Sequence, residues 1–117
     1  NPLGKTTGDC VVRAIAIATS QSWRDVYRDL CELGEIECEL PNSNHVWGTY
    51  LNEMGLEQFL LPDSCPMCVT VRAFCERYPE GTYVIGTGSH AVAVISGDYY
   101  DSFDSGSEVP SYFWRVK

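Results

Sequence analysis

The chain has 117 residues, enough for one hydrophobic core and too few for two, so a single domain over residues 1–117 is expected. Apolar residues at 44% and charged residues at 21% exclude a disordered chain, and no apolar run is long enough to span a bilayer. Sixteen acidic against eight basic side chains give a net charge of −8, which repels a phosphate backbone and argues against nucleic acid as a partner.

The chain opens on Asn1-Pro2-Leu3-Gly4, neither an initiator Met nor a basic region leading into an apolar one, as expected of a trimmed or excised domain. After a loop to Gly8, Cys10 to Ser20 reads CVVRAIAIATS, apolar on nearly every face, which predicts a helix buried all round with Arg13 its one charged residue. Ser22, with Asp25 three residues on, opens a second helix, SWRDVYRDLCEL, whose Trp23, Val26, Tyr27 and Leu30 recur at helical spacing. The acidic stretch Glu32 to Glu39 reads as its solvated end, with carboxylates that would attract a basic substrate peptide. Pro41-Asn42-Ser43 breaks the chain before a third helix, Asn44 to Met54, stopped by Gly55. A short extended piece over Leu56 to Leu61 and a loop from Pro62 to Met67 follow.

Val69 to Tyr78 suits a fourth helix, ended by Pro79-Glu80-Gly81. Four β-branched or aromatic runs come next: Thr82 to Thr87, His90 to Ile95, Tyr99 to Phe103 and Tyr112 to Val116. They predict an antiparallel meander. Helices first and strands afterwards give an α+β domain, with the buried N-terminal helix and the further helices packed on a C-terminal antiparallel sheet.

A cysteine attacks only as its thiolate, so it needs a setting that favours that form and a base within reach. In Gly8-Asp9-Cys10 the thiol stands at the first turn of a helix, where free N–H groups and the dipole stabilise negative charge. The Cys10 amide is then the natural oxyanion donor. The carboxylate of Asp9 has to point away, because a like charge beside the thiolate opposes it. Gly88-Ser89-His90 supplies a base at the mouth of an apolar strand, and Asp101 and Asp104 follow the turn at Gly97-Asp98.

The turn decides between the two aspartates. A two-residue loop at Gly97-Asp98 sets His90 opposite Ser105, and a three-residue loop, Ser96 to Asp98, sets it opposite Asp104. In either register Asp101 falls roughly 10 Å or more from His90 at the usual strand rise. Asp104 is therefore the expected orienting acid, given the longer loop or a bulge, and Asp101 is expected to matter less.

With Cys10, His90 and Asp104 in this order, the chain resembles the papain-like cysteine peptidases, in particular compact bacterial and phage-type domains similar to the leader-processing domains of bacteriocin transporters. The resemblance rests on Gly8-Asp9-Cys10 leading into a buried helix and on HAVAVISGDYYDSFDSG, His90 to Gly106. It implies hydrolysis of peptide bonds in a bound peptide or protein by a Cys10-His90-Asp104 triad, in a cleft between helix and sheet, without metal or organic cofactor. The glutamine that family members carry upstream of the cysteine is here Gly4, so a side-chain oxyanion donor would come from Asn1, Thr6 or Thr7. Amidases of the same clan that cut murein peptides, and a papain-like binding module that has lost catalysis, are the competing readings.

Six cysteines without a signal peptide indicate reduced thiols and a cytoplasmic setting. Cys38, Cys65, Cys68 and Cys75 lack the paired spacing of a zinc site, and Cys75 is expected to face inward with Val71 and Phe74. The Cys65-Pro66-Met67-Cys68 motif lies in a loop before a helix, outside the βαβ setting of a redox motif. His45, the rival base, sits at the start of the third helix, where a histidine serves as a surface or capping residue. Trp47, Tyr50, Trp114 and the Tyr99-Tyr100 pair are read as core and sheet packing, some of them lining the groove.

Overall fold

The computed structural model describes residues 1–62, 64 and 66–117. The CxxC motif therefore falls partly outside the described residues, since it includes Cys65. Helix α1, Cys10–Thr19, ends at Ser20, whose left-handed backbone (φ 57°) returns its N–H to the Ala16 carbonyl. Helix α2, Trp23–Glu37, starts as its sequence dictates: the Ser22 hydroxyl accepts the Asp25 N–H at 3.0 Å. It runs to Glu37, through the acidic stretch read as its solvated end, with Leu33 and Gly34 buried on its inner face. Helix α3, Asn44–Glu53, is capped by Ser43, the last residue of the Pro41-Asn42-Ser43 break. Helix α4, Val71–Arg77, begins two residues later than its apolar pattern, because Thr70 turns out of the helix and caps Ala73.

Strands β1 (Gln58–Leu60), β2 (Thr82–Gly86), β3 (Ala91–Ile95), β4 (Asp98–Tyr100) and β5 (Tyr112–Arg115) form an antiparallel sheet in the order β1-β5-β2-β3-β4. Only β2-β3-β4 is a meander; the last strand crosses back to lie between β1 and β2. Side-chain character explains the departure. Phe113 and Trp114 on β5 are both buried and need cover on opposite faces, which an interior strand provides, whereas Asp98 and Tyr100 are exposed and suit an edge.

The helices flank both faces of the sheet. Ala91, Ala93, Val84 and Trp114 pack with α1, α2 and α3, while Val92, Val94, Ile85, Tyr83 and Phe113 pack with α4. Strand β2 is buried along its whole length as a result. Trp47 and Trp114 are among the largest fully buried side chains, and each indole N–H finds an amide oxygen at 3.0 Å, on Asn44 and Asn52. Gly86 is required between them and the sheet, because a Cβ there would stand 2.6 Å from the Tyr112 ring and 2.9 Å from Trp47. Among the described residues no helix is long and apolar enough to cross a membrane.

The β3–β4 hairpin corrects the expected register. Ser96 and Gly97 form the loop, both with positive φ (51° and 81°), and Ile95 pairs with Asp98. This is the two-residue turn that right-twisted strands favour; its two central positions must be left-handed, a demand that Gly97 meets at no cost and Asp98 escapes by joining the strand. Neither register considered from the sequence occurs.

Candidate active site

Cys10 is the first residue of α1 and lies half-buried against the apolar cluster that also contains Ala91, the neighbour of His90. Helix α1, which begins with Cys10, packs across β2 and across β3, the strand that His90 precedes. The Asp9 side chain does not cap the helix. Its Oδ1 pairs with the Arg13 guanidinium one turn further on, and its Oδ2 accepts the Trp23 indole N–H at 2.9 Å. The like charge that threatened the thiolate is thereby engaged elsewhere, on a side chain only 5% exposed.

His90 precedes β3, at the end of the hairpin far from the turn. Its Nε2 lies 2.5 Å from Oδ2 of Asp101, whose side chain is 1% exposed against 11% for the imidazole. Oδ1 of the same carboxylate accepts the Ser102 N–H at 2.8 Å and faces Arg13 Nη2 at 3.3 Å. A carboxylate this buried is tolerated only when paired and hydrogen-bonded, and both conditions are met here by one cation, one imidazole and one amide. With Nε2 engaged by Asp101, Nδ1 is the ring nitrogen left for proton transfer. The Phe103 ring lies 5.0 Å from the imidazole, centroid to centroid.

The carboxylate beside His90 is thus Asp101, and Asp104, expected to face the imidazole, is bonded elsewhere. Asp104 accepts the Tyr99 hydroxyl at 2.5 Å and the Gly106 N–H at 3.0 Å, and stands 3.5 Å from the Arg72 guanidinium on the exposed side of the loop. The Tyr99 hydroxyl and the Gly106 amide hold its carboxyl below the usual range. The expected distance failed because it carried Asp101 along a continuing strand. Strand β4 stops at Tyr100 and the chain bends at Ser102-Phe103, freeing Asp101 to turn towards α1.

Arg13 was legible as an oddity: a single cation inside an otherwise apolar helix has to be paired. Asp9, four residues before it, was within reach of helical spacing, but Asp101 was not legible, since it lies 88 residues away. His45 sits on α3, with Nε2 3.2 Å from Glu37, exposed and apart from this group. Tyr50 is tied to α2 by a 2.9 Å bond to Asp29. Cys75 faces inward with Val71 and Phe74, and burial, followed by the nearby Asp98 charge, pushes its thiol up. Among the described residues no group of three or more His, Cys, Asp or Glu side chains is disposed to hold a metal ion.

A cavity of about 470 Å³ borders Gly8 and Asp9 between the N-terminal segment and α2, walled by the stacked rings of Trp23 and Tyr27, 5.1 Å apart and 8° from parallel. A second, of about 330 Å³, lies between α1 and β4 over Arg13, Ile17, Tyr100 and Asp101. Comparison with protein-family models, with curated proteins and with solved structures returns no match.

Proposed function

We propose that the protein is a papain-like cysteine peptidase in which Cys10 is the nucleophile, His90 the base and Asp101 the group that orients it. The observation that carries this reading is the buried His90–Asp101 pair, joined through Arg13 to the first turn of the helix that begins with Cys10. An imidazole with one nitrogen held by a carboxylate and the other free is the arrangement a thiol nucleophile requires.

In the reaction, Cys10 gives its proton to His90 Nδ1 and its sulfur attacks the peptide carbonyl carbon. The carbonyl electron pair moves onto oxygen, which accepts a hydrogen bond from the Cys10 amide at the start of the helix. Collapse of the intermediate breaks the C–N bond while His90 passes the proton to the leaving nitrogen. Water, deprotonated by the same imidazole, then attacks the thioester, releasing a carboxylic acid and regenerating the thiol. Arg13 and His90 together offset the charges of Asp9 and Asp101 once the imidazolium forms, so the proton is received without leaving a buried excess of either sign. The aromatic wall of Trp23 and Tyr27 beside Gly8 suits an apolar or aromatic side chain of a peptide substrate. The thiols of Cys10, Cys31, Cys38 and Cys75 are free, which fits a reducing, cytoplasmic setting.

The test is alkylation by iodoacetamide at pH 6 with each of the six cysteines followed by mass spectrometry. Cys10 is expected to react well ahead of the others. In parallel, a peptide library and muropeptides are offered to the wild type and to Cys10→Ala; the variant should lose all cleavage while its stability changes by less than about 1 kcal/mol, since a half-buried thiol at a helix mouth contributes little. Cleavage by Cys10→Ala at the wild-type rate, or a Cys10 no more reactive than exposed Cys38, overturns the proposal. Cleavage of muropeptides alone assigns the same chemistry to the murein amidases.

A further inference from the structure

Asp9 and Asp101 come from opposite ends of the chain, and both are nearly sealed from solvent, yet one guanidinium serves both: Arg13 Nη1 pairs with Asp9 Oδ1 and Nη2 with Asp101 Oδ1. We infer that Arg13 is a positioning residue, a two-armed clamp that aims Asp101 at His90 and at the same time holds the Asp9 carboxylate off the mouth of the helix bearing Cys10. The inference rests on the peptidase reading for its consequence and on geometry alone for its substance.

Each arm has a separate effect. With the Nη2 arm in place, Asp101 Oδ1 is engaged by Arg13 and by the Ser102 amide, so the carboxylate can present only Oδ2 to the imidazole; the proton is then kept on Nε2 and Nδ1 stays open to the thiol. The Nη1 arm acts on Asp9, the residue directly before the nucleophile. A free aspartate in that position caps the first turn through the N–H groups two or three residues on, which brings a negative charge beside the sulfur. Here the Arg13 and Trp23 contacts hold both of its oxygens instead. The charged groups around the mouth are accordingly Asp9 before α1 and Arg13 on it, His90 and Asp101 from the β3–β4 side, Lys5 in the preceding loop and Arg24 on α2. A guanidinium is suited to this because its planar fork reaches two carboxylates at once, which an ammonium does not.

The experiment follows two readouts in Arg13→Gln and Arg13→Lys: nitrogen-15 NMR of the His90 ring, and alkylation of Cys10 at pH 6. In the wild type, the neutral ring should carry its proton on Nε2. In Arg13→Gln both ring nitrogens should shift towards the average of two tautomers, and Cys10 alkylation should slow about tenfold as the freed Asp9 carboxylate approaches the thiol. The double variant Asp9→Asn/Arg13→Gln should recover most of the alkylation rate while leaving the ring signature mixed, which separates the two arms. If Arg13→Gln does not fold, Arg13→Lys decides: the retained charge keeps the fold, but the loss of the fork should still mix the tautomers.

Unchanged ring nitrogens together with an unchanged alkylation rate in whichever variant folds overturn the clamp. Failure of the peptidase reading looks different: Cys10 in the wild type is then no faster than Cys38, while the His90 signature still reports whether Arg13 aims Asp101.

Discussion

Replacing Asp101 by Asn is the most informative single change, because the structure fixes how the amide must sit. Asp101 offers two oxygens: Oδ1 accepts from Ser102 N–H at 2.8 Å and faces Arg13 at 3.3 Å, and Oδ2 faces His90 Nε2 at 2.5 Å. An asparagine has one oxygen to give. Two donors, one of them cationic, compete for it on the Oδ1 side against a single ring nitrogen on the other, so the amide oxygen turns to Arg13 and Ser102 and its NH2 turns to the imidazole. His90 Nε2 then becomes an acceptor and the ring proton moves to Nδ1, the nitrogen that takes the Cys10 proton in the proposed reaction. A base holding the wrong tautomer costs about 10⁴-fold in turnover where this error has been made in a nucleophile–histidine–aspartate triad, which corresponds to about 5.5 kcal/mol in the barrier. Asp104→Asn, changing an exposed group bonded to Tyr99 and Gly106, should alter turnover by less than about twofold. The assay is steady-state cleavage of the best library peptide by both variants, with nitrogen-15 spectra to read which ring nitrogen of His90 is protonated. Retention of Nε2 protonation and of turnover in Asp101→Asn, or a greater loss in Asp104→Asn, would refute the reasoning.

Two further expectations concern the scaffold. At pH 8, Cys38, exposed at the end of α2, should be alkylated quickly while Cys75 stays unmodified in the folded protein: burial raises its thiol, so less thiolate is present at that pH, and Phe74 and Val71 close access; peptide mass mapping with and without denaturant checks this. Gly86→Ala should destabilise the protein by about 1–3 kcal/mol, because the new methyl would overlap the Tyr112 ring and Trp47, and urea unfolding with an unchanged midpoint would show that this contact is not tight.

The Asp101 prediction reverses the ranking expected from the sequence, and the reversal has a specific origin. His90 was recognisable because a histidine opening an apolar strand after Gly88-Ser89 is conspicuous, and Cys10 because it follows Gly8-Asp9 at the start of a buried helix. Their shared acid depended on a hairpin register, and a slip of a single residue changes every cross-strand pairing. Positive φ at Ser96 and Gly97 set that register, and the early end of β4 then took Asp101 out of the ladder altogether. No local pattern marks that exit. What stops the strand and turns the carboxylate inward is compensation by Arg13 and His90, and both partners come from other parts of the chain.

By itself, then, the order of residues determined the α+β class, the four helical segments, α2 with its Ser22 start, and the β-rich second half, because periodicity, caps and turn residues act over a few neighbours. The tertiary structure alone decided that β5 lies inside the sheet, that α4 covers its second face, and that Asp101, Arg13 and Asp9 form one buried chain of charge behind the imidazole. The reason is dielectric as much as geometric: a charge removed from water must find its counter-charge wherever the fold brings one, and in this molecule the guanidinium that answers Asp101 is 88 residues distant along the chain.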